Sequence, residues 1–223
     1  MSKKIIVAID EINFSKAKEI INFLDAQKCM LKIGSVAFSA FGNQIINYCD
    51  KKGFEVFLDL KFHDIPNTVK KSILSFINLP IQMLTIHVSG GKEMIAAAME
   101  AVSGTNIKIF GVTALTSLNN SDTKKIYMKS VKEQVESMLD IAEDAGIDGV
   151  VCSPKELKIV LKRKTLLTVT PGIRLKNLND DQKRVLTPKE AINLGADFLV
   201  IGRPITSSND IGKALNEIYQ SII

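Results

Sequence analysis

The chain has 223 residues, 46% hydrophobic and 24% charged, and its 29 basic against 24 acidic side chains leave a net charge of +5. That composition excludes disordered and fibrous classes, and the length suffices to bury a core without metal or disulfide support. The basic excess is modest: it suits an anionic ligand and argues for neither nucleic acid nor a membrane surface as partner.

The first apolar run, residues 5–10, ends at Asp10; it is too short for a membrane span, and no small-residue cleavage site follows it, so a signal peptide is not expected. It is followed by a helix-period stretch at 15–27. The pairing then repeats along the chain: runs at 30–34, 56–61, 82–87, 108–113, 147–152, 166–170 and 198–202, with amphipathic stretches at 36–52, 68–79, 92–102, 130–145, 155–164, 189–194 and 210–222. Strands alternating with helices imply parallel neighbours joined by crossovers, and eight units average about 28 residues, near the length such a unit needs. No linker or change of composition divides the chain. An open doubly wound sheet also fits the alternation, but the count of eight and the polar residues recurring at strand C-termini favour a closed (β/α)8 TIM barrel as a single domain over residues 1–223. Neither a Gly-x-Gly-x-x-Gly turn nor a Walker-type loop occurs where a nucleotide cofactor would need one. Cys29, Cys49 and Cys152 are widely spaced and read as buried thiols of a reducing compartment, so the expected location is cytoplasmic.

Side chains alternate faces along a strand. In the third run Val56, Leu58 and Leu60 share the face that meets the helices, and Asp59 and Lys61 point together into the barrel mouth. The same parity turns Lys32 inward between Leu31 and Ile33, and Asp10 ends a run whose inward residues are Ile6 and Ala8. Two carboxylates and two ammoniums from three neighbouring strands therefore converge on one volume, which favours a functional site over a structural ion-pair network. Asp64 lies just before Pro66, a first-turn helix residue. It is either a turn acid that favours the helix N-terminus or a member of the site, and spacing alone does not choose. The same holds for Asn67 and Thr68. His63 follows the third run, where a packing or loop role is the simpler reading, His87 ends the fourth run, and two such histidines make no zinc signature. The cluster Lys162-Arg-Lys164 reads as a solvated helix end.

These residues resemble the orotidine 5′-phosphate decarboxylase family. The likeness runs through Val7-Ala-Ile-Asp10, Leu31-Lys-Ile-Gly34, Asp59-Leu-Lys-Phe-His-Asp-Ile-Pro-Asn-Thr68, His87-Val-Ser-Gly-Gly91, Val112-Thr-Ala-Leu-Thr-Ser117, Thr170-Pro-Gly-Ile-Arg174, Asn179-Asp-Asp-Gln182 and Ile201-Gly-Arg-Pro-Ile-Thr206. Asp-x-Lys-x-x-Asp alone is shared with sugar-phosphate enzymes of the same barrel superfamily, whereas the continuation Ile-Pro-Asn-Thr resembles the orotidylate enzymes in particular. One departure is Val88-Ser89 after the strand-four histidine, where the family often has Ala.

The resemblance implies decarboxylation of orotidine 5′-monophosphate to UMP, the last step of pyrimidine synthesis, with no cofactor and no metal. Lys61 would donate the proton to the ring carbon, with Asp59 beside the departing carboxylate. Asp10 would hold the ribose hydroxyls next to Lys32. Asp64, Ile65 and Thr68 would reach into the site of a partner chain, making a homodimer. Thr116 would contact the pyrimidine, Gln182 would bridge base and phosphate, and Gly202, Arg203 and Arg174 would hold the phosphate. Read without the resemblance, Arg174 is as well explained as a surface charge, and Gln182 sits in a plain polar loop. The competing readings are a magnesium-dependent sugar-phosphate lyase and a non-catalytic barrel that merely binds an anion.

Overall fold

The computed structural model describes residues 3–174 and 186–223. Eight parallel strands close on themselves in chain order: β1 (Ile5–Ile9), β2 (Cys29–Gly34), β3 (Val56–Phe62), β4 (Ile81–His87), β5 (Lys108–Val112), β6 (Gly149–Val151), β7 (Leu167–Thr170) and β8 (Phe198–Ile201), with β8 pairing back to β1. This is a TIM barrel. Helices α1 (Phe14–Asn22), α2 (Ser35–Phe41), α3 (Asn43–Lys51), α4 (Pro66–Leu74), α5 (Gly91–Ala101), α6 (Asn120–Tyr127), α7 (Val131–Asp144), α8 (Leu157–Val160), α9 (Pro188–Asn193), α10 (Arg203–Thr206) and α11 (Ile211–Ile222) connect the strands or follow them. Among the described residues no helix is long and apolar enough to cross a membrane.

Strand parity sorts the core into two shells. Ile6, Ala8, Met30, Phe57, Met83, Phe110, Val169 and Val200 fill the barrel interior. Ile5, Val7, Ile9, Leu31, Ile33, Val56 and Leu58 point the other way and join the helical shell, with Leu60 packed against it. An inner shell of this kind fills the barrel below its C-terminal rim, the face on which barrel enzymes carry their chemistry.

Besides the short α10, which periodicity did not reveal, the helices depart from the sequence expectation at three larger segments. The stretch at 36–52 is two helices, because Gly42 takes φ +54°, a left-handed conformation that stops α2 before α3 begins. The polar segment 120–127 forms α6, which periodicity did not reveal. Its start is written in a capping box: the Asn119 side chain accepts from the Asp122 amide while the Asp122 carboxylate accepts from the Asn119 amide. The stretch at 155–164 contracts to α8. Beyond it Arg163 is no solvated helix end, since its guanidinium pairs with Asp140 and, at 2.9 Å, with Glu143 on α7.

Candidate active site

The loops and strand ends of β1, β2 and β3 carry the charges, and parity delivers them to one place. Lys61 Nζ lies 2.8 Å from Asp59 Oδ1. Lys32 Nζ lies 3.5 Å from Asp59 Oδ2 and 3.2 Å from Asp10 Oδ1. The order Asp10, Lys32, Asp59, Lys61 alternates in sign. Lys32 and Asp59 are buried, at 9% and 8% exposure, while Lys61 is half-buried and Asp10 exposed. The line therefore runs from the rim inward and back out toward the mouth. Gly34, the last residue of β2, makes room for it: a Cβ there would fall 2.7 Å from the Lys32 ammonium.

Burial by itself would raise the pKa of Asp59. The Lys32 and Lys61 ammoniums, together with hydrogen bonds from Lys61 and Thr85, outweigh that desolvation and hold the carboxyl below the usual carboxylate range. Asp59 is thus an anion fixed between two cations before any ligand arrives.

The backbone at this point is irregular. Leu58 pairs with Leu84 and Phe62 pairs with Ile86, so β3 uses four residues where β4 uses two. The excess is even, and parity survives it: Asp59 and Lys61 stay inward and Phe62 packs outward. Lys61 occupies the bulge with φ +53°, a left-handed conformation costing a residue with a Cβ about 1–2 kcal/mol. Thr85 of β4 fills the gap. Its hydroxyl accepts the Lys61 backbone N–H at 2.9 Å and donates to Asp59 Oδ1 at 2.9 Å. Sequence reasoning missed Thr85, because a threonine inside a β-branched run is the most ordinary of strand residues.

Lys32, Asp59 and Lys61 form one side of a cavity of about 170 Å³, whose remaining wall includes Phe57, Val112, Ala114, Leu115, Val151, Val169, Pro171 and Val200, with Thr116 at its edge. A row of charges therefore faces an apolar wall. His87, at the end of β4, is half-buried, and its ring lies 5.2 Å from that of exposed His63. Desolvation, then His63 and Lys61, hold its pKa below the ordinary imidazole value.

The other expected site residues are placed unevenly. Asp64 does not join the charge line of its own chain; it is exposed and its Oδ1 accepts the Ile65 N–H at 2.7 Å. Ile65 is 66% exposed, and Thr68 is exposed on the first turn of α4. Arg174 is half-buried after β7, with Nη1 donating to the Ile173 carbonyl at 3.4 Å. Gly202 follows β8 and leads into α10, where Arg203 is exposed and pairs with no carboxylate among the described residues. Gln182 lies outside the described residues. Also among the described residues, no three His, Cys, Asp or Glu side chains are grouped so as to hold a metal ion.

Comparison with known proteins adds to this geometry. The orotidine 5′-phosphate decarboxylase of Coxiella burnetii (strain RSA 331 / Henzerling II) is 44% identical over 227 residues, covering 98% of this chain and 96% of the relative. That of Legionella pneumophila (strain Lens) is 42% identical over 234 residues, covering 100% of both. The crystal structure of orotidine 5′-phosphate decarboxylase from Lactobacillus acidophilus matches with a TM-score of 0.86 at 33% identity, over 99% of each chain. Residues 3–218 match the family model itself, and the chain belongs to the orotidine 5′-phosphate decarboxylase / HUMPS family.

Proposed function

We propose that the chain decarboxylates orotidine 5′-monophosphate to UMP, with residues 1–223 acting as one catalytic domain. The observation that carries this reading is the linked Lys32–Asp59–Lys61 row, joined to Asp10 through Lys32, lining a largely apolar cavity. A flat pyrimidine suits the apolar wall, and the ring carbon that loses CO2 would sit against the charges.

Orotate has no β-keto group to take up the electron pair. When the bond from ring carbon to carboxylate breaks and CO2 departs, the pair stays on the carbon. A fixed ammonium stabilises that charge and then closes the reaction by transferring its proton to the carbon. Lys61 is the more exposed of the two ammoniums that line the cavity, and Asp59 holds it at 2.8 Å. Lys32 holds Asp59 from the other side, so the charges need no reorganisation during the step. The reading takes no metal and no cofactor. Asp10 would bind the ribose hydroxyls, Thr116 and Gln182 the base, and Gly202, Arg203 and Arg174 the phosphate.

The site is completed by a second copy of the chain. Asp64 makes no ion pair with the charge line of its own chain among the described residues, and the apolar side chain of Ile65 stands exposed beside it. In a homodimer these residues and Thr68 would enter the partner's site. Inactive Lys61→Ala and Asp64→Ala chains, mixed under conditions of subunit exchange, are expected to regain activity, since one hybrid site is then whole.

The deciding experiment is addition of orotidylate in the presence of a chelator, following loss of the orotate absorbance. Turnover is expected. Absence of turnover that magnesium restores would overturn the reading in favour of metal-dependent sugar-phosphate chemistry.

A further inference from the structure

We infer that Thr85 is a positioning residue that sets the Lys61–Asp59 pair through its side-chain hydroxyl. The inference deepens the decarboxylase reading and rests on it for its kinetic consequence, but the arrangement itself is a matter of geometry.

Thr85 is fully buried on β4, opposite the place where β3 bulges. Its hydroxyl has one hydrogen and two neighbours, and their chemistry leaves one assignment. The Lys61 backbone N–H can only donate, and an ionised Asp59 can only accept. The hydroxyl therefore accepts from the first and donates to the second, each at 2.9 Å. Asp59 Oδ1 also receives the Lys61 ammonium at 2.8 Å. Backbone nitrogen, hydroxyl, carboxylate oxygen and ammonium thus form a closed ring that begins and ends on Lys61.

The ring resolves two problems. Inside the bulge the Lys61 N–H has lost its ladder partner, and a buried N–H without an acceptor is costly. Lys61 also adopts a left-handed conformation, which persists only where surrounding contacts impose it. The same hydroxyl that supplies the acceptor fixes the rotamer of Asp59, so the start of the lysine side chain and the anion that receives its end are located by one atom. The methyl group of Thr85 contributes nothing to this, which separates a positioning role from simple packing.

The test compares Thr85→Val, which keeps the shape and removes the hydroxyl, with Thr85→Ser, which keeps the hydroxyl. Thr85→Ala serves as a second hydroxyl-free variant should the valine chain not fold. For Thr85→Val we expect kcat on orotidylate to fall by about 10- to 100-fold with KM changed less than about 3-fold, the effect of displaced catalytic groups with binding left intact. Thr85→Ser should recover kcat to within about 3-fold of wild type. Two readouts do not depend on turnover. Amide exchange at Lys61 should accelerate by about 10-fold or more in the hydroxyl-free variants and not in Thr85→Ser, and the Asp59 carboxyl, followed by carbon NMR, should titrate at higher pH. Hydroxyl-free variants that match wild type in Lys61 exchange and Asp59 titration would overturn the inference, as would a serine variant as impaired as valine. A wild-type chain that leaves orotidylate intact would instead sink the decarboxylase reading, and the NMR measurements would still judge Thr85.

Discussion

Around β1–β4 the charges at the barrel mouth hold one another. Asp10, Lys32, Asp59 and Lys61 are linked in sequence, Lys32 and Asp59 are buried, and Thr85 locks the irregular backbone beneath them. Around β7–β8 the cations are not tied into such a row: Arg203 is exposed and without a carboxylate partner among the described residues, and the Arg174 guanidinium donates to the neighbouring Ile173 carbonyl. The first region is linked internally before a ligand arrives; the second holds the cations proposed to bind the phosphate. The difference separates two uses of charge. A preassembled row lowers the energy of charge that develops during the reaction, and free cations supply binding energy that a remote phosphate can spend on positioning.

The largest test of this contrast is Lys61→Ala. Removing the proposed proton donor from the linked region should lower kcat/KM for orotidylate by about 1,000-fold or more while UMP affinity changes by less than about 10-fold, as calorimetry and steady-state kinetics would show. Comparable losses in turnover and UMP binding would mean that the row binds ligand instead of acting on it. Arg203→Ala should behave in the opposite way. Losing one charged hydrogen-bonding group at the proposed phosphate end is expected to raise KM by about 10- to 100-fold with a smaller change in kcat. A fall in kcat alone would erase the division between the two regions.

Gly34→Ala probes the linked region without removing any of its charges. The added Cβ would fall 2.7 Å from the Lys32 ammonium, which Asp10 and Asp59 hold in place. The ammonium must shift by a few tenths of an ångström or more, loosening its hold on Asp59. We expect kcat to drop by about 3- to 10-fold with little change in the thermal midpoint. Unchanged turnover would show that the row tolerates slack at Lys32.

The two regions also differed in how far the sequence revealed them. The barrel was legible because eight β-branched runs alternate with amphipathic stretches, and Lys32, Asp59 and Lys61 were legible because parity puts charged side chains on a face that is otherwise apolar. Parity succeeded at Lys61 for a reason the sequence does not display, namely that the bulge adds two residues; an excess of one would have turned the lysine outward. Thr85 was illegible since its task depends on that bulge. Helix α6 was missed because its polar sequence lacks a clean apolar stripe, although Asn119 and Asp122 marked its start. At the phosphate end spacing alone left Arg174 and Gln182 undecided: loop residues carry no periodicity from which an orientation can be read.

The smallest expected effect concerns the edge of the linked region. His87 is half-buried, and desolvation, His63 and the Lys61 ammonium depress its pKa against the opposing pull of Asp59. A histidine depressed in the folded state stays neutral there while the unfolded chain takes up a proton at its ordinary value of about 6.5. Folding stability linked to His87 is therefore present above about pH 6.5 and is lost as the pH falls through that value toward the lower folded pKa. Denaturant midpoints between about pH 7.5 and about pH 5 should decline for the wild-type chain and decline less steeply for His87→Asn, which cannot titrate. Equal slopes would mean that His87 accepts its proton as readily in the folded barrel as outside it. Desolvation of the ring and the two neighbouring cationic groups would then be fully offset by the Asp59 carboxylate, and the end of β4 would be electrostatically balanced by the charge row beside it.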